Sequence, residues 1–149
     1  MKEIKAEELT SENFIEFGVV VNTPKTEPSL PSGYVPKLAT FHIDGEAEIG
    51  ICTIHKSTEP MTRMERHLKT MEIFVSIEGD FLLAMSRPEV PADPEDIPQA
   101  EKVRAFHVRE GQTVVMKPGS WHGVISLDER CSFLIIFKKD TAKDDLMVK

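Results

Sequence analysis

The stretch Met64 to Gly79, which reads MERHLKTMEIFVSIEG, decides the fold. In its second half apolar residues recur at every second position, at Met71, Ile73, Val75 and Ile77. A period of two is typical of a half-buried β-strand. Three side chains of the kinds that bind metals or carry protons stand before this strand or at its start, at Glu65, His67 and Glu72. The stretch therefore predicts a strand that begins beside a set of functional groups.

A second stretch, Lys117 to His122, reads KPGSWH and follows Glu72 by about fifty residues. Both stretches place a ligand-type side chain near a strand end and a glycine turn. Strand ends of this kind meet at the mouth of a barrel. We therefore expect His67, Glu72 and His122 to converge on one cavity, with Glu65 at its edge. The alternative is that His67 and Glu72 are ordinary solvated residues.

The spacing within the first stretch raises a question of phase. Glu65 and His67 share one face of a regular strand, but Glu72 has the opposite parity. A turn or bulge at residues 68–70 would reset the alternation and bring Glu72 inward. The apolar stripe would then lie on the outer face, where other strands or a second subunit must cover it. Its residues are Met71, Ile73, Val75 and Ile77.

Composition limits the class of protein. A chain of 149 residues suits a single domain, residues 1–149, with a sizeable core. The net charge of −7 argues against nucleic acid as a partner, because phosphate binding needs a clustered basic face. An anionic small substrate would need a local basic group.

The cysteines and the absence of targeting signals predict the compartment. The chain has 2 cysteines, Cys52 and Cys131, each in an apolar run, and these are typical of buried thiols in a reducing compartment. No segment resembles a signal peptide or a membrane span. We therefore expect a cytoplasmic protein with no membrane partner.

Many short strands and little helix are expected. One short helix is expected, which either Thr10 or Ser11 can cap, with Phe14 and Phe17 as an apolar pair. Residues 86–101 are acidic and rich in proline, which predicts a solvated loop. The charged tail from Lys138 onward is expected to be only partly ordered. The predicted strands are Val19–Val21, Leu38–Ile43, Glu48–His55, Thr70–Glu78, Asp80–Met85, Val103–Val108, Gln112–Met116, Gly123–Leu127 and Cys131–Phe137. This pattern is typical of a β-sandwich or barrel.

The two stretches resemble the two sequence motifs of the cupin superfamily. In the first motif, Glu65, His67, Glu72 and Gly79 match, although Glu65 stands where cupins usually carry a histidine. In the second motif, Gly111, Gly119 and His122 match in kind, while Lys117 replaces the usual proline and Ser126 the usual asparagine. The resemblance implies an all-β, cupin-type double-stranded β-helix barrel or sandwich with a short N-terminal helix.

More narrowly, the chain resembles the ureidoglycolate lyase family of allantoin and purine breakdown. The resemblance is carried by residues 9–18 (LTSENFIEFG), by residues 64–67 (MERH), and by residues 103–106 (VRAF) leading to Trp121-His122. This chain departs from the family pattern at two places. Gly123 stands where family members usually carry a second histidine, and Phe137-Lys138-Lys139 stands where they tend to have Asp-Arg-Gly.

The resemblance implies a site for a divalent metal. His67, Glu72 and His122, together with Glu65, would form a mixed nitrogen and oxygen site suited to Ni, Mn, Fe or Zn. A site without metal is the alternative. In that case a histidine and a carboxylate, His122 and Glu72, would act as the catalytic acid and base.

The implied reaction is elimination of urea from ureidoglycolate to give glyoxylate, a carbon–nitrogen lyase reaction on a small carboxylate substrate. Arg66 and Lys117 flank the motifs and are candidates to bind the carboxylate, and Trp121 is a candidate to pack over the substrate. A homodimer is expected from the apolar outer stripe. A different metal-dependent cupin, such as an isomerase or dioxygenase, and a non-catalytic binding protein are the alternatives, because the fold does not fix the function.

Overall fold

The computed structural model describes residues 3–22, 28 and 30–149 and contains mostly β-strands. The helices are two single-turn elements, α1 (Ser11–Phe14) and α2 (Thr141–Asp144), and a 3₁₀ turn at Ala100–Lys102. Within the described residues, no helix is long and apolar enough to cross a membrane. The strands are β1 (Ala6–Glu8), β2 (Gly18–Val21), β3 (Ala47–His55), β4 (Glu65–Arg66), β5 (Glu72–Glu78), β6 (Phe81–Ser86), β7 (Arg104–Val108), β8 (Thr113–Met116), β9 (Trp121–Ser126), β10 (Arg130–Lys138) and β11 (Met147–Val148).

The strands form two sheets. One has 6 strands in the order β1-β7-β6-β9-β4-β11, and the other has 5 in the order β2-β8-β5-β10-β3. Strand β1 pairs parallel with β7, whereas the other pairs of strands are antiparallel. The sheets face each other across a core in which Phe14, Leu83, Phe106 and Phe133 are almost fully buried. The predicted all-β fold, with two packed sheets and a short N-terminal helix, is confirmed.

The N-terminal helix forms where the sequence predicts it. The Thr10 hydroxyl accepts a hydrogen bond from the Asn13 N–H at 3.1 Å, and the Asn13 side chain accepts one from the Thr10 N–H at 2.9 Å. This reciprocal capping satisfies N–H groups that a helix start leaves unpaired. The helix buries Phe14, whose ring meets that of Phe106 edge to face with centroids 5.3 Å apart.

Eight of the nine predicted strands overlap strands of the structure, and the prediction for Leu38–Ile43 is wrong. Residues 38–43 have no strand conformation. Leu38 is 43% exposed and Phe41 is 51% exposed. An apolar run becomes a strand only where a neighbouring backbone completes its hydrogen bonds. No strand ladder of the described residues includes this run.

The tail from Lys138 is better ordered than its charge predicts. Strand β10 runs to Lys138, α2 follows, and β11 pairs with β4, with Met147 opposite Arg66. The Lys149 N–H donates to the Met64 carbonyl at 3.1 Å, and the Met64 N–H donates to the Lys149 carbonyl at 2.9 Å. The C-terminal segment is therefore part of the six-stranded sheet and holds β4 in place.

Candidate metal centre

The two sheets bring four acidic and histidine side chains together. Glu65 lies directly opposite His122 in the β4–β9 pair. His67 follows β4, and Glu72 is the first residue of β5 in the facing sheet. His67, Glu72 and His122 are each at most 5% exposed. The convergence predicted from the sequence is thus present in the fold.

A bend at Leu68 and Lys69 separates β4 from β5 and resets the alternation of side chains. Beyond it Glu72 is 4% exposed, whereas Ile77 on the other face of β5 is 44% exposed. Asp145 closes the bend, because its carboxylate accepts the Leu68 N–H at 3.0 Å and the Lys69 N–H at 2.7 Å. The bend expected at residues 68–70 is present, and it turns Glu72 inward.

The distances within the cluster are short. The Nε2 atom of His122 lies 3.1 Å from Glu72 Oε2 and 3.4 Å from Glu65 Oε1. The Nε2 atom of His67 lies 3.6 Å from Glu72 Oε2. Both imidazole Nε2 atoms therefore point at carboxylate oxygens in a buried space.

Backbone carbonyls fix the orientation of both imidazoles. His67 Nδ1 lies 2.8 Å from the Asp145 carbonyl oxygen, and His122 Nδ1 lies 3.1 Å from the Ser120 carbonyl oxygen. A carbonyl only accepts, so each Nδ1 must carry the hydrogen. Each Nε2 is then left with a lone pair that faces carboxylates and needs either a proton or a metal ion.

The charges in the cluster are coupled. Burial alone would raise the pKa of Glu72, but the neighbouring positive charges of His122 and His67 lower it to about 2. Burial would lower the pKa of His122, but the carboxylates of Glu72 and Glu65 raise it to about 10. His67 likewise has a raised pKa, because Glu72 outweighs its burial. In the absence of a metal, the ionised carboxylate of Glu72 faces the imidazolium ring of His122.

The donor set fits a divalent transition metal. One ligand atom from each of Glu65, His67 and His122 lies within 4.8 Å of the others. Glu72 Oε2 and His122 Nε2 are buried and make no hydrogen bond within the protein. Buried polar atoms without partners are rare in native proteins, and a metal ion would satisfy both. The Nδ1–carbonyl bonds are the outer contacts that metal-binding histidines usually have.

A cavity of about 220 Å³ lies beside Glu65 and His122. Its walls are mostly apolar, and Arg63 is the cation among the described residues that line it. A larger cavity of about 400 Å³ is lined by Met61, Arg63 and other residues but by neither histidine of the cluster. The smaller cavity is therefore the space in which a substrate can reach the cluster.

Two of the residues predicted to bind substrate, Arg66 and Trp121, lie on the opposite face of the six-stranded sheet. The Arg66 guanidinium group lies 4.6 Å from the centre of the Trp121 ring, donates to the Asp93 carbonyl and forms a 3.6 Å ion pair with Asp96. The Trp121 N–H donates to Asp96 at 2.8 Å. The expectation that Arg66 reaches a bound carboxylate is therefore wrong, because Arg66 faces away from its strand neighbours Glu65 and His67.

Lys117, the other predicted carboxylate-binding cation, borders the cluster but directs its charge elsewhere. It lines a small space together with His67, Glu72 and His122. Its ammonium group donates to the Ile15 carbonyl at 2.8 Å and to the Glu16 carbonyl at 3.2 Å. Lys117 thus anchors the turn after α1, which corrects its predicted place at the substrate carboxylate.

Sequence reasoning missed two residues of the site, Arg63 and Asp145. Arg63 stands two positions before Glu65, so the alternation of an extended chain was a signal for its place on the same face. Asp145 lies in the charged tail, and its buried contacts with the bend depend on long-range folding that leaves no local pattern. Asp96, which binds Arg66 and Trp121, was likewise hidden in a proline-rich loop predicted to be solvated.

Comparison with known proteins identifies relatives of the whole chain. The chain is 27% identical over 146 residues to the ureidoglycolate lyase of Pseudomonas savastanoi pv. phaseolicola, covering 91% of this chain and 83% of that protein. It is 29% identical over 146 residues to the ureidoglycolate lyase of Pseudomonas aeruginosa, with the same coverage.

Among solved structures, the chain is similar to oxalate decarboxylases. The Lactobacillus farciminis oxalate decarboxylase formate complex superposes with a TM-score of 0.46 at 20% identity, over 62% of this chain and 24% of that chain. A Bacillus subtilis oxalate decarboxylase variant superposes with a TM-score of 0.45 at 19% identity, over 63% and 22%. The chain thus spans about a quarter of the length of these structures. Residues 1–148 match the family model described as ureidoglycolate lyase, and the chain belongs to that family.

Proposed function

We propose that the protein is a ureidoglycolate lyase, which splits ureidoglycolate into glyoxylate and urea. Family membership over residues 1–148 supports this activity over the isomerase, dioxygenase and binding-protein alternatives. The observation that carries the proposal is the pair Glu72 Oε2 and His122 Nε2, buried 3.1 Å apart with no hydrogen bond within the protein. Functional groups that stay unsatisfied in the folded protein are available to a substrate or a metal.

The reaction requires one proton to move. The hydroxyl group on the carbon that bears the ureido nitrogen loses its proton and becomes the carbonyl of glyoxylate. The carbon–nitrogen bond breaks, and its electron pair remains on the nitrogen. That nitrogen takes up a proton and leaves as urea. An enzyme for this reaction needs a base, an acid and a group that holds the substrate carboxylate.

Glu72 is the proposed base. Its pKa of about 2 keeps the carboxylate ionised at neutral pH, so it can accept the hydroxyl proton. The proposed acid is the imidazolium of His122, whose raised pKa retains a proton for the departing nitrogen. Because the Nδ1 atoms of His122 and His67 are tied to carbonyls, the Nε2 edge is the one presented to the substrate.

Glu65, His67, His122 and Glu72 are the residues that would hold a divalent metal. Such an ion would supply Lewis-acid polarisation of the substrate's hydroxyl and carboxylate oxygens. With the histidines as ligands, their Nε2 atoms would carry no proton, so a Glu72 carboxylate oxygen not engaged by the metal would move the proton from the hydroxyl group to the urea nitrogen. Nickel, manganese, iron and zinc are all compatible with this mixed donor set.

The compartment proposed for this reaction is the cytoplasm. Cys52 and Cys131 are free thiols, which suits a reducing environment.

Burial raises the pKa of the Cys52 thiol, so it stays protonated and is a poor nucleophile. The cavity wall formed by Cys52 is therefore chemically inert toward a carbonyl product.

The test is a turnover assay with ureidoglycolate that measures glyoxylate and urea together. A lyase forms the two in equal amounts and releases no ammonia. Release of ammonia in place of urea would identify an amidohydrolase and contradict the proposal. Purified protein is assayed before and after dialysis against a chelator and after addition of Ni²⁺, Mn²⁺, Fe²⁺ or Zn²⁺ in turn.

Two variants locate the reaction at the cluster. Glu72→Gln and His122→Ala are expected to lower kcat by at least about 100-fold, because each removes a proton-transfer group or ligand. Leu83→Ala serves as the control, since Leu83 is fully buried in the core and does not line the cavity. It should lower stability and leave kcat of the folded protein unchanged. Full activity of His122→Ala would show that the site lies elsewhere.

A further inference from the structure

We propose that Arg63 is the residue that binds the carboxylate of the substrate, and that it selects for small 2-hydroxy carboxylates. This assignment rests on the proposed function, because it places the substrate in the cavity beside the cluster. Arg63 lines that cavity together with Glu65, His122 and Gly123. The substrate would lie between the guanidinium group and the imidazole of His122.

The backbone explains why Arg63 and Glu65 face the same cavity. The chain from Met64 is paired with the C-terminus through both backbone hydrogen bonds between Met64 and Lys149. In an extended chain residues 63 and 65 point to one side, and residues 64 and 66 point to the other. Met64 accordingly packs with Trp121 and Ala84 in a small apolar cluster separate from the main core. Arg66 lies over the Trp121 ring on that same side.

Arg63 has a free guanidinium group, which is unusual for an arginine beside a buried acidic cluster. In the part of the chain that the structure describes, its side chain has neither a hydrogen bond nor an ion pair, and it is exposed. The other nearby cations are occupied, since Arg66 binds Asp96 and Lys117 binds backbone carbonyls. Arg63 is thus the cation left to receive an anion.

The electrostatics of the cavity require such a residue. The chain carries a net charge of −7, Glu65 lines the cavity, and Glu72 lies behind His122 with its carboxylate 3.1 Å from the His122 Nε2. A carboxylate substrate would be repelled there unless a cation lining the same cavity fixed its orientation. Arginine binds carboxylates through two parallel N–H bonds, and this geometry also sets the direction of the bound molecule. The hydroxyl-bearing carbon would then face Glu72 and His122.

The size of the cavity limits the substrate class. About 220 Å³ accommodates a molecule of roughly ten non-hydrogen atoms but is below the usual 300–1,000 Å³ of sites for drug-sized ligands. Its walls include Phe74, Phe133 and Ile135, which offer no hydrogen bonds to a second charged group. The site therefore suits a short monocarboxylate with a hydroxyl group next to the carboxylate.

The experiment compares Arg63→Met, Arg63→Lys and Arg130→Met with the wild type. Arg130 is the matched control, because it is an exposed arginine paired with Glu78 at the far end of β5 from Glu72. The carboxylate is bound equally in the substrate and in the transition state. Arg63→Met should therefore raise KM about 10- to 100-fold and change kcat by less than about 3-fold. Arg63→Lys should restore part of the loss, and Arg130→Met should resemble the wild type.

A binding measurement separates this assignment from the proposed function. Calorimetric titration with glyoxylate reports carboxylate binding even if ureidoglycolate is not turned over. A wild-type protein that binds glyoxylate at least 10-fold more tightly than Arg63→Met supports the assignment whatever the reaction proves to be. Equal dissociation constants, an unchanged KM in Arg63→Met, or equal losses in Arg63→Met and Arg130→Met would overturn it. Absence of detectable glyoxylate binding by the wild type would overturn it as well.

Discussion

Asp145 offers a direct test of how the C-terminal segment supports the site. Its carboxylate holds the N–H groups of Leu68 and Lys69, and its carbonyl holds His67 Nδ1. Asp145→Ala removes the two carboxylate contacts and keeps the carbonyl. The bend that turns Glu72 inward then loses its anchor. We expect both the stability of the protein and the affinity of the cluster for metal to fall.

The magnitude follows from the two hydrogen bonds. A hydrogen bond to a charged group contributes about 1.5–3 kcal/mol, and an N–H that water can reach after the substitution loses less. Leu68 is half-buried and Lys69 is exposed, so we expect a loss of about 2–4 kcal/mol in the free energy of unfolding. Contacts that hold metal ligands in position typically change metal affinity 10- to 100-fold, and we expect a loss in about that range because the bend that positions Glu72 is released.

The assay combines urea unfolding with a metal titration against a competing chelator. Asp144→Ala is the matched control, because Asp144 is the adjacent residue, is exposed, and makes its contacts through the backbone. It should change the free energy of unfolding by less than about 0.5 kcal/mol. A loss of stability in Asp145→Ala with unchanged metal affinity would refute the positioning role. Equal effects of both variants would refute the role of the carboxylate.

Three further predictions concern the core, the buried acid and the assembly. Leu83→Ala should cost about 2–5 kcal/mol in urea unfolding, because it leaves a cavity in the core, and a loss below about 1 kcal/mol would contradict that packing. Burial would raise the pKa of Asp96, but hydrogen bonds from Trp121 and the backbone and the charge of Arg66 lower it. The stability that Asp96 contributes is therefore present above pH about 4 and is lost as the pH falls through the folded pKa of Asp96. The difference in free energy of unfolding between the wild type and Asp96→Asn should accordingly shrink in acid. Light scattering should give twice the chain mass of 16.8 kDa. The reason is that the outer sheet face exposes Ile49 by 70% and Ile51 by 64%, and a second subunit would cover them. A mass near 16.8 kDa at micromolar concentration would rule out the dimer.

The long strands and the cluster could be predicted because their signals are local. The alternation from Met71 to Ile77 gave β5, and the parity of Glu65 and Glu72 required the bend between them. Turn glycines also carry a local signal. Gly79, between β5 and β6, has φ +69, and a Cβ there would lie 2.6 Å from the Arg130 carbonyl oxygen. Only glycine adopts this turn without strain.

The remaining features depend on contacts between distant parts of the chain. Strands β4 and β11 are two residues long each, too short to show any period. Their pairing uses backbone groups, which every residue has, so the amino-acid composition of the tail does not indicate that it is ordered. The assignment of a carboxylate-binding cation failed for a related reason. Arg66 lies within the motif and Arg63 only two residues before it, and the phase of the strand decides which of them faces the cavity.

The departure from the family pattern at Gly123 leaves the cluster complete. His122 points inward, so the next residue of β9 points to the opposite side of the sheet. A Cβ on Gly123 would lie 2.6 Å from the Met61 sulfur. Met61 packs against Trp121, Met64 and Ala84 and also lines the 400 Å³ cavity. A histidine at 123 would therefore displace Met61 and stand in this outer layer, not beside Glu72. Glycine at position 123, which also borders the 220 Å³ cavity, removes none of the four donors on which the proposed chemistry depends.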